Sequence, residues 1–437
     1  MEETKPNSKM HYAWLIFIGC CFMMAGGLGA VLDAGIGAFI QPIMADMGAT
    51  QGFGQAELMF YLSVYFLTTI AAMPIVGHIL PRYNIRVVLS VAMVLTCIAF
   101  ALCGLYTEVW MWYISGFIYG LAGSFIFVIP VPILMGNWFF KRKALMLGIA
   151  MAFSGIGGAL LAPLFTFFIN EFGWRNAYFL SAIVMAVLVL PWTLFVFRFK
   201  PEDMGLKPYG WSEEAAEAQA AKNREKAITS VSAGVKASSK AVLSVPFICM
   251  FLLCGLVSFY ASLGTQMNPY GFSLDFFDGD AANRMFGATL VSAVMIGNIS
   301  SKVVMGFITD IIGVNKTILI QVGLVVLGFL GFIFFDTQPW LIYVWGFLFG
   351  VQNSVYAVST PLLIRSIFGD RDFAKIFTWA RIGTGAIGFI GPAMFGLFVD
   401  IQGNYTLCFV VGIIIAVLCF AAILLAEATK KKLVWED

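Results

Sequence analysis

A chain of 437 residues that is 60% hydrophobic and only 11% charged has too few polar side chains to cover a water-soluble protein of its size. Its net charge of +2 favours neither an acidic nor a basic partner, and no nucleic-acid partner is expected. The eight cysteines stand in apolar stretches without metal-ligand spacing, so we expect no disulfide framework, no metal and no other cofactor. The composition places the chain in a lipid bilayer.

Apolar segments of about 20 residues, the length that crosses a bilayer, follow one another along the chain. The first is too long for the hydrophobic region of a signal peptide, which indicates that it is retained. We predict an all-α membrane protein with twelve transmembrane helices. The predicted spans are 12–40, 57–80, 86–106, 110–137, 144–169, 176–197, 245–270, 284–308, 316–335, 340–366, 373–399 and 405–427.

The one long polar stretch separates two sets of six spans. Both chain ends are assigned to the cytoplasm, because this orientation leaves only Arg175 and Arg284 outside and Lys302 and Arg381 in the membrane, as the positive-inside rule requires. We expect a multi-pass protein of the plasma (inner) membrane that functions as a monomer. The predicted divisions are a cytoplasmic N-terminus (1–11), a six-helix bundle (12–198), a cytoplasmic linker (199–243), a second six-helix bundle (244–428) and a cytoplasmic tail (429–437).

The two sets of spans also match each other in sequence. Such a repeat predicts two halves related by an axis along the membrane normal, with a site between them near the midplane that opens to either face in turn. Several residue pairs share an offset of 229: Gly77 and Gly306, Pro163 and Pro392, and Glu171 and Asp400.

A loop motif points to a family. Gly306-Phe-Ile-Thr-Asp310-Ile-Ile-Gly313-Val-Asn-Lys316 joins spans eight and nine, and a degenerate copy that contains Pro81 and Arg82 joins spans two and three. The motif resembles the signature G-x-x-x-D-x-x-G-x-x-[KR] of the major facilitator superfamily. The resemblance implies two pseudo-symmetric six-helix bundles, with Asp310 and Arg82 as candidates for gating. An aspartate in this loop can cap a neighbouring helix.

Three further stretches are similar to the monocarboxylate transporter and oxalate:formate antiporter group: Asn137 to Gly148, Gly173-Trp174-Arg175, and Pro201 to Gly210. In that group, basic residues in spans eight and eleven hold substrate carboxylates. Lys302 and Arg381 stand at the matching positions. The group usually has arginine in span eight. Arginine binds a carboxylate with a planar, two-pronged guanidinium group, whereas lysine offers a single point charge, so the identity of the substrate cannot be inferred from these relatives.

Lys302 and Arg381 also stand out on physical grounds. A cation at the centre of a bilayer costs roughly 2.5 to 3.5 kcal/mol, so it is expected to face a cavity, a partner or a substrate. Both lie about 12 to 13 Å above the cytoplasmic loops at 1.5 Å per residue. Asp33, the only acid expected inside the membrane, falls toward the outer end of its helix, so no acid is expected near the pair. We predict that the pair binds a carboxylate; pairing with helix carbonyls or snorkelling is the alternative.

Other residues at helical spacing are candidates for completing the site. Asn298 lies one turn before Lys302 on the same face. Asp33 is a candidate for coupling or gating and, alternatively, a water-exposed group of an outer vestibule. For the aromatic candidates, simple packing is the alternative. The further candidates are Gln352, Asn353 and Tyr356 of span ten, and the rings of Tyr119, Tyr260 and Trp345.

The prediction for function is a secondary transporter of small organic anions, mono- or dicarboxylates, that works by alternating access. No G-x-x-x-x-G-K-[ST] loop is present, so gradients must supply the energy, through exchange for a counter-anion or symport with a proton. Proton-linked relatives have an acid where this chain has Asn298, which weakens one proton route and leaves Asp33 or a protonated substrate.

Two other classes of function are alternatives to a transporter. A membrane enzyme such as an intramembrane protease would need paired membrane aspartates or an H-E-x-x-H helix, and the sequence has neither. We therefore expect no catalytic residues. A transport-shaped sensor that binds a carboxylate without moving it remains an alternative, and measurements of flux separate it from a transporter.

Overall fold

The structure is a computed structural model that describes residues 11–213 and 239–430, apart from 81, 128, 141–142 and 370–372. It describes the backbone alone at 74, 77, 143–144, 239–240, 303, 306, 310, 356–357 and 373–375. Within this described part the chain is helical almost throughout. An isolated β-bridge joins Phe139 to Tyr209.

Six helices form the first half of the chain. The fourth is interrupted after Ser124 and resumes at Pro130, a residue that suits the first turn of a helix. Gly173 separates the fifth from the sixth, because its φ of 75° is a left-handed conformation that a residue without a Cβ atom adopts readily. The helices are α1 (Tyr12–Gln51), α2 (Gln55–Ile79), α3 (Ile85–Leu102), α4 (Trp110–Ser124 and Pro130–Trp138), and α5 and α6, which together occupy Lys143–Pro191.

Six more helices form the second half. The tenth and eleventh each consist of two pieces, and Val355–Ser359, between the pieces of the tenth, winds as a π-helix. The helices are α7 (Val245–Ser273), α8 (Asp280–Ile312), α9 (Val314–Phe334), α10 (Pro339–Gly350 and Thr360–Phe368), α11 (Phe373–Gly388 and Gly391–Gln402) and α12 (Thr406–Thr429).

These helices confirm the predicted all-α membrane fold with two six-helix halves. The largest difference lies in α1, which was predicted to end near residue 40 and runs to Gln51. Polar residues begin at Gln41, but the helix accommodates Pro42 and ends only at Gly52, whose φ of 73° turns the chain. The end of a helix is therefore set here by a turn residue rather than by polarity.

Large apolar side chains remain exposed on the outside of the bundle. Phe195 is 73% exposed, Ile401 72% and Leu160 68%. Exposed apolar surface of this kind is rare on soluble monomers and is expected where lipid chains cover the protein. The exposed apolar residues agree with the multi-pass membrane assignment.

Close helix crossings join the two halves. Helix α2 packs against α11, and α5 packs against α8. At the first crossing a Cβ atom on Gly385 would lie 1.5 Å from Cδ1 of Ile70, so a side chain has no room there. Small residues let membrane helices approach to backbone contact, and here they do so between the halves.

The Gly173-Trp174-Arg175 stretch forms a clamp on the outer side of the first half. The indole Nε1 of Trp174 donates a hydrogen bond to Asp46 of α1 at 3.0 Å. The Arg175 guanidinium donates to the carbonyl oxygens of Gly104 at 3.3 Å and Tyr106 at 3.1 Å, and lies 3.7 Å from Asp46. The clamp ties α6 to α1 and to the end of α3, which gives this stretch a structural role.

The start of the predicted linker is bound to the first half. The N–H of Tyr209 donates to the carbonyl of Trp138 at 2.8 Å, and the N–H of Phe140 donates to Tyr209 at 2.9 Å. The Trp138 indole donates in turn to the carbonyl of Arg198 at 2.9 Å. The division of the chain at this linker stays a prediction, since residues 214–238 lie outside the described part.

Candidate functional site

Two basic side chains lie deep in the second half, as the sequence predicts. Lys302 stands about 15 Å before the cytoplasmic end of α8, and Arg381 stands about 12 Å after the start of α11. Both are half-buried. A cation at this depth needs a partner, a cavity or a substrate, so the groups around each one decide what the site can bind.

An acidic side chain of the other half lies within electrostatic range of Lys302. Asp33 of α1 and Lys302 attract each other electrostatically. The prediction that no acid lies near the cations is therefore wrong, because α1 continues to Gln51 and Asp33 lies near its middle rather than toward its outer end. Asp33 belongs to Met24–Gly35, which winds as a π-helix, an irregularity common at functional sites.

A glycine of α5 lets these helices meet. A Cβ atom on Gly158 would lie 2.7 Å from Cβ of Asp33 and 3.1 Å from Cγ of Met295. Met295 stands two turns before Lys302 on the same face of α8. The first half therefore presents Asp33 to the face of α8 that carries Lys302, and the missing side chain of Gly158 makes the approach possible.

Two buried amide oxygens, one on α8 and one on α10, have no hydrogen-bond donor within the described part of the chain. They are Oδ1 of Asn298, one turn before Lys302, and Oε1 of Gln352 in α10. The two helices touch here, because a Cβ atom on Gly350 would lie 2.9 Å from the backbone nitrogen of Asn298. A buried polar atom without a partner loses about 1 to 3 kcal/mol, and a water or ligand that donates a hydrogen bond removes this penalty.

Arg381 has different surroundings. Its guanidinium carbon lies 5.5 Å from the centre of the Phe377 ring, within the range of a cation–π contact. It also interacts electrostatically with the thiol of Cys254 in α7. Thr384, three residues further along α11, has a buried hydroxyl without a described partner. Lys302 thus faces the boundary between the halves, whereas these contacts of Arg381 lie within the second half.

The three predicted aromatic residues occupy different places. Tyr260 of α7 is fully buried, and its hydroxyl has no hydrogen-bond partner in the described part of the protein. Tyr119 lies inside the first half, with its hydroxyl 3.5 Å from the sulfur of Cys103. The Trp345 indole donates to the carbonyl of Phe335 at 3.1 Å, at the contact of α10 with the end of α9. Tyr119 and Trp345 therefore make the contacts of packing residues.

The remaining predicted residues are described in part. Asn353 is half-buried in α10, directly after Gln352. The side chains of Tyr356 and Asp310 lie outside the described residues. Arg82 is exposed at the cytoplasmic end of α2 and contacts the ring of His78, one turn earlier. The gating roles of Asp310 and Arg82 stay predictions.

Cys254 and the pairing of Asp33 with Lys302 were missed from the sequence. One signal for this proximity was available, because Asp33 is the only acid expected in the membrane interior and Lys302 is one of two cations expected there. No sequence signal places Cys254 beside Arg381. Among the described residues, no group of three His, Cys, Asp or Glu side chains could hold a metal ion.

The sequence profile of the Major Facilitator Superfamily matches residues 15–335 and 280–436. The chain belongs to the major facilitator superfamily. The superfamily is one of transporters, and this member is a multi-pass membrane protein of that kind. The loop signature and the duplicated six-helix unit are thereby explained by common ancestry.

Relatives of this superfamily member include monocarboxylate transporters. It is 24% identical over 302 residues to human monocarboxylate transporter 12, a match that spans 64% of this chain and 55% of that protein. The MFS-type transporter hasB of Aspergillus fumigatus is 24% identical over 379 residues, 85% of this chain and 78% of that protein. The chain spans less than two thirds of the length of the monocarboxylate transporters it matches.

Solved structures of transporters share the fold. A bacterial homolog of the human lysosomal transporter Spinster, inward-facing and occupied, superposes with a TM-score of 0.68 at 14% identity and covers 98% of this chain and 100% of that one. A D-xylose–proton symporter gives a TM-score of 0.67 at 14% identity, over 96% of this chain and 97% of that one. At this identity the likeness concerns the fold alone.

Proposed function

We propose that this facilitator transports small organic anions, mono- or dicarboxylates, by alternating access in the plasma (inner) membrane. The presence of two half-buried cations, Lys302 and Arg381, in the membrane interior carries the proposal. An anion that enters between the halves would be attracted by both cations. Binding of such an anion would explain why two charges are kept in the membrane interior despite their cost in free energy. The name of the monocarboxylate transporter relatives supports the same class of substrate.

The orphaned polar atoms support a ligand between the halves. Asn298 and Gln352 can each turn an amide N–H toward a carboxylate, because the assignment of amide nitrogen and oxygen can be exchanged by rotating the side chain. The Tyr260 hydroxyl is a further candidate donor, on a ring that packs against Phe329 within the second half. An anion that reached these donors together with Lys302 and Arg381 would meet charge and hydrogen bonds at once.

Asp33 supplies a coupling mechanism. In the empty carrier its carboxylate attracts Lys302, so an incoming anion must compete with it. A proton on Asp33 removes the competitor, which gives proton-linked symport. Displacement of Asp33 by whichever anion is present gives exchange without net proton movement. Both modes use the same pair, and the coupling experiment below distinguishes them.

The experiment is anion uptake into proteoliposomes that contain the purified protein. Lys302→Gln and Arg381→Gln should each lower kcat/KM about tenfold or more, since each removes a charge-assisted hydrogen bond. Lys200→Gln is the matched control, because Lys200 is exposed on the cytoplasmic side. Unchanged, saturable anion flux in both site variants would overturn the proposal.

The mode of coupling is measured in the same vesicles. Counterflow that persists with all gradients collapsed, together with absent net uptake, indicates exchange. Net uptake driven by an acidic exterior indicates symport. A screen of lactate, formate, oxalate and larger organic acids by thermal stabilisation of the purified protein identifies the ligand. A ligand that raises the melting temperature of the protein but is not transported would indicate a sensor rather than a transporter.

A further inference from the structure

A carboxylate joins the outer ends of the two halves. Oδ1 of Asp400, in the last turn of α11, accepts a hydrogen bond from the backbone N–H of Gln55 at 2.7 Å, and Oδ2 accepts one from the N–H of Ala56 at 2.8 Å. Gln55 and Ala56 open α2. The first N–H groups of a helix have no partner within that helix, so Asp400 caps α2 from the opposite half.

The surrounding residues fit this contact closely. A Cβ atom on Gly54 would lie 2.4 Å from Oδ2 of Asp400, and one on Gly396 would lie 2.8 Å from the backbone of Ala56. Gly396 stands one turn before Asp400, on the same face of α11. Both glycines bring the backbones of α2 and α11 within reach of the carboxylate.

A second bond holds the same helix turn. The side chain of Gln55 donates to the side-chain oxygen of Gln266 in α7, and both residues are buried. The first turn of α2 is therefore held by two helices of the second half. The helix dipole adds to the first contact, because a negative charge at a helix N-terminus is stabilised by it.

The repeat offers a built-in comparison. Glu171 at the end of α5 matches Asp400 in the sequence repeat, and α8 takes the place of α2. The corresponding contact between α5 and α8 is uncharged: the side-chain amide of Asn170 donates a hydrogen bond to the carbonyl oxygen of Ala281 at 3.2 Å. Among the described residues Glu171 makes no hydrogen bond or ion pair. The charged cap thus belongs to the α2–α11 side.

We propose that Asp400 is a latch that holds the outer entrance of this transporter closed. Alternating access requires the outer ends of the halves to separate. The bonds from Gln55 and Ala56 must break in that step, and water then replaces the carboxylate. Asp400 therefore sets the balance between the outward-closed and outward-open conformations, whatever the substrate is.

Distances between spin labels on the two outer faces test the latch. Labels are placed on cysteines introduced at Glu108 and Thr337, which are exposed outer positions in opposite halves. The eight native cysteines are buried, and the protein without introduced cysteines measures their background. Asp400→Ala should raise the ratio of open to closed molecules about fivefold, the effect of losing a typical helix cap.

Two variants control this experiment. Gly54→Ala should raise the same ratio while Asp400 stays intact, because the added methyl group displaces the carboxylate. Glu171→Gln should leave the ratio unchanged. Unaltered distances in both Asp400→Ala and Gly54→Ala would overturn the latch, and so would an equal rise in Glu171→Gln. The measurement needs no substrate, so its result is independent of the proposed anion transport.

Discussion

Asp33 and Lys302 attract each other across the boundary between the two halves of the chain. Each charge would be costly alone in the membrane interior, and each lowers that cost for the other. Asp33 belongs to the half that moves relative to Lys302 in the alternating access proposed above. The charge state of the site and the contact between the halves are therefore linked.

Replacing Asp33 tests this link. Asp33→Asn removes the acid that competes for Lys302, so anion affinity should rise about tenfold, consistent with a Coulomb interaction of 1 to 2 kcal/mol. The wild-type protein should bind more tightly in acid than in alkaline buffer, because protonation neutralises Asp33. The variant should lose this difference. Titration calorimetry with an alkyl sulfonate, which stays anionic throughout, separates the protein's protonation from that of the ligand.

A new acid beside Lys302 should have the opposite effect. Asn298→Asp places a carboxylate one turn before Lys302 on the same face of α8, where it competes with the substrate. We expect anion affinity to fall about tenfold and to recover in acid. Asn298→Ala, which adds no charge, serves as the control. Equal losses in the two variants would show that the amide itself, and not the charge balance, matters at this position.

The glycine between Asp33 and Met295 should tolerate no side chain. Gly158→Ala puts a methyl group 2.7 Å from Cβ of Asp33, so α1 or α8 must move and transport should fall. Gly148→Ala, earlier in α5, is the matched control, because its methyl group meets no atom within 4 Å. Uptake by the two variants in proteoliposomes gives the comparison. Full activity in Gly158→Ala would mean that this approach is unimportant for function.

The outer clamp should matter for stability rather than transport. Arg175→Ala removes two hydrogen bonds from a charged donor, and we expect the free energy of unfolding to fall by about 1 to 3 kcal/mol. Lys430→Ala, which removes a surface pair with Glu427, should change it by less than about 1 kcal/mol. Thermal unfolding in detergent measures both. Equal melting temperatures for the two variants would contradict the structural role of the clamp.

Much of the fold could be predicted from the sequence, because the length and apolarity of membrane-spanning helices are visible in the order of the residues. The all-α membrane fold with two six-helix halves was predicted correctly, and α8 and α11 carry Lys302 and Arg381 far from their cytoplasmic ends, as expected. The length of α1 was not, since the outer turns of a helix carry the same polar residues as a loop. This difference of about 11 residues moved Asp33 from the outer end to the middle of its helix.

The contacts between helices could not be predicted from the sequence. Whether Asp33 meets Lys302 depends on how α1, α5 and α8 cross, and crossing is decided by packing rather than by periodicity. Asp400 stood in the sequence repeat with Glu171, yet only Asp400 caps a helix. Repeated residues share a place in the fold, and their partners can still differ.

The bond between Tyr209 and Trp138 has a consequence for dividing the chain. Because the strand-like pairing fixes the segment up to Tyr209 on the first half, that half includes residues well beyond its last transmembrane helix. If the protein were produced as two fragments divided directly after Phe197, the first fragment would lack Tyr209 and its hydrogen bond to Trp138. A cut after Trp211 leaves each fragment with the contacts it makes on its own side.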